Sequence, residues 1–129
     1  MTEPIGKDQP RFAATINKAI DYAEVGQLLQ AVQLLTDLAA EFTEAASVRG
    51  YLAWYLLQLG RQEEAIEHSR RAIDLAPKSE KASLIYFHAL WRAAKYIDAL
   101  EEMKRFLTIR PSDVYANIIK EWEPDLDRP

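Results

Sequence analysis

The stretch that decides the fold is residues 46–77, ASVRGYLAWYLLQLGRQEEAIEHSRRAIDLAP. Its first half carries leucines at helical spacing, namely Leu52, Leu56 and Leu59. Gly60 follows them, and glycine readily adopts the left-handed conformation that closes a helix end. A second apolar stripe then runs to Pro77, which cannot continue a helix. Because the connection between the two stripes is short, the stretch predicts two antiparallel neighbouring helices.

Three markers recur along the chain with a spacing of 34 residues. Alanines recur at Ala31, Ala65 and Ala99. Glycines recur at Gly26 and Gly60, and Ala94 stands where the third would be. Prolines recur at Pro77 and Pro111, with Thr43 at the matching earlier site. A fixed period of this length indicates a stacked array of one helix-pair unit, and the alanines indicate where facing helices approach closely.

The period predicts a single all-α domain over residues 1–129, a right-handed superhelix of antiparallel helix pairs with about seven helices. The expected repeats cover about residues 12–45, 46–79 and 80–113. In the first and third repeats we expect helices near 9–25, 27–41, 80–93 and 96–109. Ser112 can cap a final helix over about 113–123, which Pro124 would end, and a short acidic tail follows. This half repeat would cover the apolar end of the array, as solenoids require.

The spacing and residue types resemble the tetratricopeptide repeat family over about residues 12–122. That family's pattern opens with Trp and continues with a Leu-Gly pair, Tyr, Ala, a large apolar residue and Pro. The second repeat matches it at Leu52, Ala53, Leu56, Ala65 and Pro77. The first matches at Ala19, Tyr22, Ala31 and Leu35, and the third at Tyr86, Leu90, Ala99, Met103 and Pro111. The resemblance implies a scaffold that binds other proteins.

The chain departs from that pattern at several positions. Arg49 stands in place of the Trp, and Ser69 in place of the large apolar residue. Phe87 occupies a position where the family prefers a small residue between its two helices. Phe87 therefore predicts either a splayed third repeat or neighbours that are smaller to accommodate its ring.

Composition and charge exclude several function classes. The chain has no cysteine, which excludes disulfides and thiolate chemistry. Its net charge of −4 does not favour nucleic acid. The N-terminus lacks the basic start and apolar run of a signal peptide, and no stretch approaches the ~20 apolar residues of a membrane span. We therefore expect a cytoplasmic protein that binds neither nucleic acid nor a membrane.

The sequence carries no motif for catalysis or for metal binding. Glu64 and His68 lie one helical turn apart, but two such residues are typical of a solvated pair on a helix surface. No Gly-rich phosphate loop and no nucleophile elbow are present. We therefore predict that the protein is not an enzyme and that it has no catalytic residues, no metal and no cofactor.

A row of apolar residues lies opposite the packing leucines on the first helix of each pair. Its large members are Ile16, Ile20, Trp54, Leu57, Leu84, Trp91, Ile118 and Trp122, which include all three tryptophans of the chain. In repeat arrays this side lines the concave face. Because three exposed tryptophans are costly, we expect a protein or peptide to cover the row.

The predicted binding groove on this face consists of Ile20, Gly50, Trp54, Leu57, Gln58, Lys81, Leu84, His88, Trp91, Arg92 and Trp122. Gly50 lies one turn before Trp54. We interpret it either as a notch that admits a partner or as a glycine that helix packing tolerates or requires.

Three hypotheses describe what covers the predicted groove. The first is an interaction scaffold that binds a protein or peptide through apolar anchors, on an amphipathic helix or an extended segment. The second is a dedicated chaperone, since the chain is similar in size, acidity and layout to the chaperones of type III secretion translocators. The third is self-coverage of the groove. Either a second copy closes it in a structural homodimer, or the chain's own acidic tail lies in it.

One known use of the family is not expected in this chain. Some members hold the terminal carboxylate of a peptide with a clamp of Lys, Asn and Arg side chains. Lys81 fits one clamp position here. The other positions hold Ile16, Ile20, Tyr51 and Ile85.

Overall fold

The computed structural model describes residues 10–126, with side chains up to Trp122, and these residues form helices and no strand. The helices are α1 (Pro10–Glu24), α2 (Leu28–Glu41), α3 (Ala46–Gln58), α4 (Gln62–Leu75), α5 (Glu80–Arg92), α6 (Tyr96–Ile109) and α7 (Asp113–Leu126). The predicted all-α helical array is therefore confirmed. None of the helices in this part of the chain is both long enough and apolar enough to span a membrane.

The predicted end of the last helix is wrong. We expected Pro124 to stop it, whereas α7 continues through Pro124 to Leu126. A proline beyond the first turn removes one i→i−4 hydrogen bond and crowds the carbonyl four residues earlier, and here it lies only two residues before the end of α7. The acidic tail that was predicted beyond this helix begins inside α7, and residues 127–129 lie outside the described part of the chain.

Consecutive helices pack as pairs, α1 with α2, α3 with α4 and α5 with α6. The repeating alanines of the second helices, Ala31, Ala65 and Ala99, are all fully buried. Ala19 and Ala53 occupy the matching place on the first helices and are also fully buried. The absence of large side chains at these points lets the two helices of a pair approach closely.

Phe87 fills the place that Ala19 and Ala53 hold in the other pairs, and it is only 3% exposed. Its ring lies edge-on against Tyr115 of α7, with 5.5 Å between the ring centroids. Ala99 remains fully buried in the facing helix. The ring of Phe87 is thus accommodated against the seventh helix. The contact between α5 and α6 at Ala99 remains buried.

The turns inside the three pairs share one conformation. Gly26 and Gly60 have φ angles of 83° and 79°, and Ala94 has a φ of 61°. In the third turn the Lys95 amide donates to the Leu90 carbonyl at 2.9 Å, which is the bond that closes a helix with a left-handed residue. The recurring glycine therefore predicted the position of the turn. In the third repeat Ala94 adopts the same left-handed conformation, which is sterically unfavourable for a residue with a Cβ.

Replacing Ala94 with glycine should stabilise the protein. A left-handed L-residue costs roughly 1–2 kcal/mol, and the greater freedom of glycine in the unfolded chain offsets part of the gain. We expect Ala94→Gly to raise the free energy of unfolding by about 1 kcal/mol in urea titrations followed by circular dichroism. Ala93→Gly is the control, because Ala93 has an ordinary φ of −84°. This substitution should lower the free energy of unfolding. An Ala94→Gly protein no more stable than wild type would contradict this account.

A buried polar network joins α5, α6 and α7. The Ser83 hydroxyl donates to Glu102 Oε2 at 2.6 Å, and the Tyr115 hydroxyl in turn donates to Ser83 Oγ at 2.6 Å. Arg105 donates two N–H bonds to the Glu102 carboxylate at 2.7 Å each and a third to the Pro77 carbonyl at 2.9 Å. Burial raises the pKa of the Tyr115 phenol well above its usual value, which keeps it a hydrogen-bond donor. The network therefore attaches the seventh helix to the third pair.

Glu102 is only 5% exposed, and removing it should leave Arg105 and Ser83 without their main partner. We expect Glu102→Ala to lower the free energy of unfolding by about 2–3 kcal/mol. Glu101→Ala removes the exposed neighbouring carboxylate and should change it by less than about 0.5 kcal/mol. Chemical unfolding of both variants measures the difference, and equal effects would show that the network contributes little.

Candidate functional site

An open cavity of about 400 Å³ lies between α3 and α5, the first helices of the second and third pairs. Its lining combines aromatic and aliphatic side chains with one lysine and one histidine. The lining residues, which we name the aromatic groove, are Tyr51, Trp54, Tyr55, Lys81, Leu84, Ile85 and His88. Their spacing of three and four residues places each set on one face of its helix.

Trp54 is the most accessible large apolar side chain of the aromatic groove, at 37% exposed. Leu84 and His88 are half-buried on the facing helix. Tyr51 and Tyr55 stack beside Trp54 on α3, with ring centroids 6.3 Å apart. The groove therefore offers an apolar bottom and an accessible indole wall.

Lys81 supplies the positive charge at the rim of the aromatic groove. Its Nζ lies 4.5 Å from the centroid of the Tyr51 ring and 3.5 Å from the Tyr51 hydroxyl, a cation–π arrangement. Among the described residues no carboxylate forms an ion pair with Lys81. The ammonium group is exposed and available to an acidic group.

His88 adds no second charge at neutral pH. Burial lowers the pKa of its imidazole, and the nearby positive charge of Arg92 lowers it further. Since the pKa falls below the ordinary value, His88 is neutral at pH 7 and presents a ring with one donor and one acceptor. The aromatic groove is thus almost entirely uncharged except at Lys81.

Gly50 borders a smaller cavity of about 230 Å³ beside the aromatic groove. Most of its lining is small, and the members are Ala46, Ser47, Gly50, Tyr51, Ser79, Lys81, Ala82 and Ile85. A Cβ added at Gly50 would meet only Ile85 Cδ1, at an ordinary 3.8 Å. Packing therefore does not require glycine here, and the missing side chain enlarges the cavity.

Replacing Gly50 with alanine should stabilise the fold, because glycine inside a helix costs about 1 kcal/mol relative to alanine and the space is free. We expect Gly50→Ala to raise the free energy of unfolding by up to about 1 kcal/mol, measured by urea titration. Gly26→Ala is the matched control and should lower it, since Gly26 has a φ of 83°. A destabilised Gly50→Ala would show instead that close packing requires the glycine.

One predicted groove residue belongs to the core. Leu57 is 2% exposed, so its assignment to an accessible groove is wrong. The reason is that α2, α4 and α5 all pack against α3, which buries more of its circumference than a helix pair alone would. The row is therefore not a continuous accessible strip.

Trp91 and Trp122 do not line the aromatic groove either. Trp91 is 36% exposed, and one face of its ring stacks on Trp122 of α7 at 5.1 Å between centroids. Phe87 stacks on Trp91 at 5.8 Å, and Tyr96 meets it edge-on at 4.6 Å. These side chains form a second aromatic cluster that α7 partly covers.

The remaining predicted residues lie outside the aromatic groove. Ile20 is half-buried on α1, and Gln58 is exposed at the end of α3. Arg92 is exposed at the end of α5, where its Nη1 donates to the Leu57 carbonyl at 3.5 Å. Of the predicted set, Trp54, Lys81, Leu84 and His88 line the aromatic groove together. Gly50 borders the smaller adjacent cavity.

The prediction omitted Tyr51, Tyr55 and Ile85, which line the aromatic groove. A signal for two of them was present, because Tyr51 and Ile85 are 34 residues apart and hold the same position in successive repeats. Tyr55 follows Trp54 directly in the sequence, and helical spacing alone does not show that it reaches the cavity. Within the described residues, no group of three Asp, Glu or His side chains is placed to hold a metal ion.

A scan of the sequence against protein-family models finds no match, and a search of the curated proteins finds none. Solved structures do match the fold. The first TPR of Spaghetti (RPAP3), bound to the HSP90 peptide SRMEEVD, has a TM-score of 0.77 at 17% identity, over 90% of this chain and 95% of that one. The second TPR of the same protein, bound to the same peptide, has a TM-score of 0.70 at 19% identity, over 76% and 91%.

The TPR domain of Sgt2 from Aspergillus fumigatus has a TM-score of 0.76 at 18% identity, over 94% of this chain and 87% of that one. At these identities the likeness concerns the fold. Within residues 10–126, the three helix pairs with a seventh helix, the shared left-handed turns and the buried alanines agree with it. The chain therefore has the fold of a tetratricopeptide repeat domain.

Proposed function

We propose that this protein is a protein-interaction module, without enzymatic activity, that binds a segment of another protein in the aromatic groove. The observation that carries the proposal is the 400 Å³ cavity, whose lining is mainly aromatic and aliphatic and which leaves Trp54 accessible. A preformed apolar cavity with few polar groups is the usual form of a binding site for an anchoring side chain.

The proposed ligand carries an apolar anchor. Covering Trp54 and Leu84 with such a side chain removes apolar surface from water, which is the main favourable term in association. Interface energy is usually concentrated in a few aromatic or Arg residues near the centre of a contact. Trp54 is the residue we propose for that role, because it is the most exposed large side chain among the apolar residues that line the cavity.

The proposed ligand also carries an acidic group near its anchor. Lys81 is exposed at the rim and has no ion-pair partner among the described residues. An acidic side chain there would orient the segment and add specificity more than affinity. The RPAP3 domains have the same fold and bind the acidic HSP90 peptide SRMEEVD. Here apolar Ile85 and Ile20 replace clamp residues, so we propose an apolar-anchored segment with one acidic contact and not that peptide.

The proposal predicts that Trp54→Glu abolishes capture of a partner while a matched surface change does not. Gln58→Glu introduces the same charge one turn later on α3, outside the cavity, and is the control. A partner retained from lysate of the source organism by wild type and Gln58→Glu would be purified and its affinity measured by calorimetry. We expect Trp54→Glu to weaken binding at least about thirtyfold, as for a central anchor.

Two other outcomes would separate the competing hypotheses. Equal affinity of wild type and Trp54→Glu for the purified partner would contradict the aromatic groove as the binding site. Sedimentation of wild type as a dimer that Trp54→Glu converts to a monomer would favour the homodimer. A dedicated chaperone would be indicated if the partner aggregates when purified alone and stays dispersed with this protein.

A further inference from the structure

Another cavity lies beside the second repeat, where Arg49 of α3 contacts His68 of α4. Arg49 is half-buried and stands where the repeat pattern has a tryptophan. The equivalent residues of the neighbouring repeats, Thr15 and Ser83, are uncharged. The second pair alone therefore carries a positive charge at this position.

The guanidinium of Arg49 forms no ion pair within the described part of the chain. Its Nη1 donates to Nδ1 of His68 at 3.1 Å, and its Nε is buried without a hydrogen-bond partner. No carboxylate of residues 10–122 forms an ion pair with it. A half-buried cation in this state is stabilised by any anion that reaches it.

His68 does not supply that anion and does not add to the charge. To accept from Arg49, the imidazole must be neutral, with its proton on Nε2. Burial and the adjacent Arg49 charge lower the pKa of His68, against a smaller opposite effect of Glu67 and Glu64. His68 therefore holds Arg49 in place as a neutral hydrogen-bond acceptor.

A cavity of about 310 Å³ opens beside this pair. Its remaining lining comes from one face of α4, with residues Glu67, Arg70, Arg71 and Asp74. Within the described residues, neither Arg70 nor Arg71 is in an ion pair. Three guanidinium groups and two carboxylates thus border the cavity, which shares no residue with the aromatic groove.

We propose that this cavity binds an oxyanion, the phosphate or carboxylate group of a ligand or partner, between Arg49 and the arginines of α4. Guanidinium groups donate paired N–H bonds that match both kinds of group, and such charge-assisted bonds are among the stronger ones in proteins. Glu67 and Asp74 flank the cavity and would repel a second negative charge, which favours a single anionic group over a polyanion. This function is independent of the aromatic groove.

The test is a titration of the whole protein with inorganic phosphate and, separately, with acetate, at constant ionic strength. Amide chemical shifts of residues 67–74 report binding. We expect a saturable change in wild type, and binding at least about tenfold weaker in Arg49→Met, which removes the charge and keeps an unbranched side chain. Saturation by phosphate alone would identify a phosphate group, and saturation by acetate would identify a carboxylate.

Two further variants distinguish loss of anion binding from loss of folding. Arg71→Met changes an exposed residue and should weaken binding about threefold or more without altering the melting temperature. Lys104→Met is the control, because Lys104 is the third-repeat equivalent of Arg70 and lies outside the cavity. The proposal is overturned if neither anion produces a saturable change in wild type, or if Lys104→Met weakens binding as much as Arg49→Met.

Discussion

The close approach of the two helices in each pair is the constraint on which the array depends. It is satisfied by alanines that repeat every 34 residues and are fully buried. A larger side chain at such a contact would separate the helices, and interiors packed at crystal-like density accommodate added volume poorly. Phe87 is the exception, and it is accommodated because its ring packs against Tyr115 of α7. The seventh helix therefore covers the end of the array and also provides the side chain against which Phe87 of the third pair packs.

The same stacking determines which surface remains for a partner. The central helix α3 contacts α2, α4 and α5, so most of its circumference is buried. What stays open is the side that faces α5 across the cavity, with Trp54 as its accessible wall. The rest of the apolar row is either in the core, as Leu57 is, or stacked on another ring, as Trp91 is on Trp122. Repeat packing thus reduces a long apolar row to one compact groove.

Two charged side chains, Glu102 and Arg49, lie in contacts between the helices of a pair, and their hydrogen-bond partners differ. Glu102 receives hydrogen bonds from Ser83 and Arg105, and the resulting network joins three helices. Arg49 enters the equivalent contact of the second pair with only neutral His68 as a partner. A satisfied buried charge contributes to a unique packing, whereas an unsatisfied one favours a ligand that completes it. The second and third repeats therefore share a fold while differing in the chemistry they present.

The sequence by itself determined the helix pairs, their order and their turns, because a 34-residue period and small residues at fixed positions leave few other ways to bury the apolar stripes. Helical spacing placed Lys81, Leu84 and His88 on one face of their helix, since it depends only on neighbours along the chain. The 34-residue period placed Trp54 on the corresponding face of the preceding repeat, at the position of His88. The sequence could not decide that Leu57 is buried, that Trp122 covers Trp91, or that Tyr55 lines the groove. Those outcomes depend on how closely and at what angle successive pairs stack. That geometry arises from side chains of several repeats packing together, and only the tertiary structure decided it.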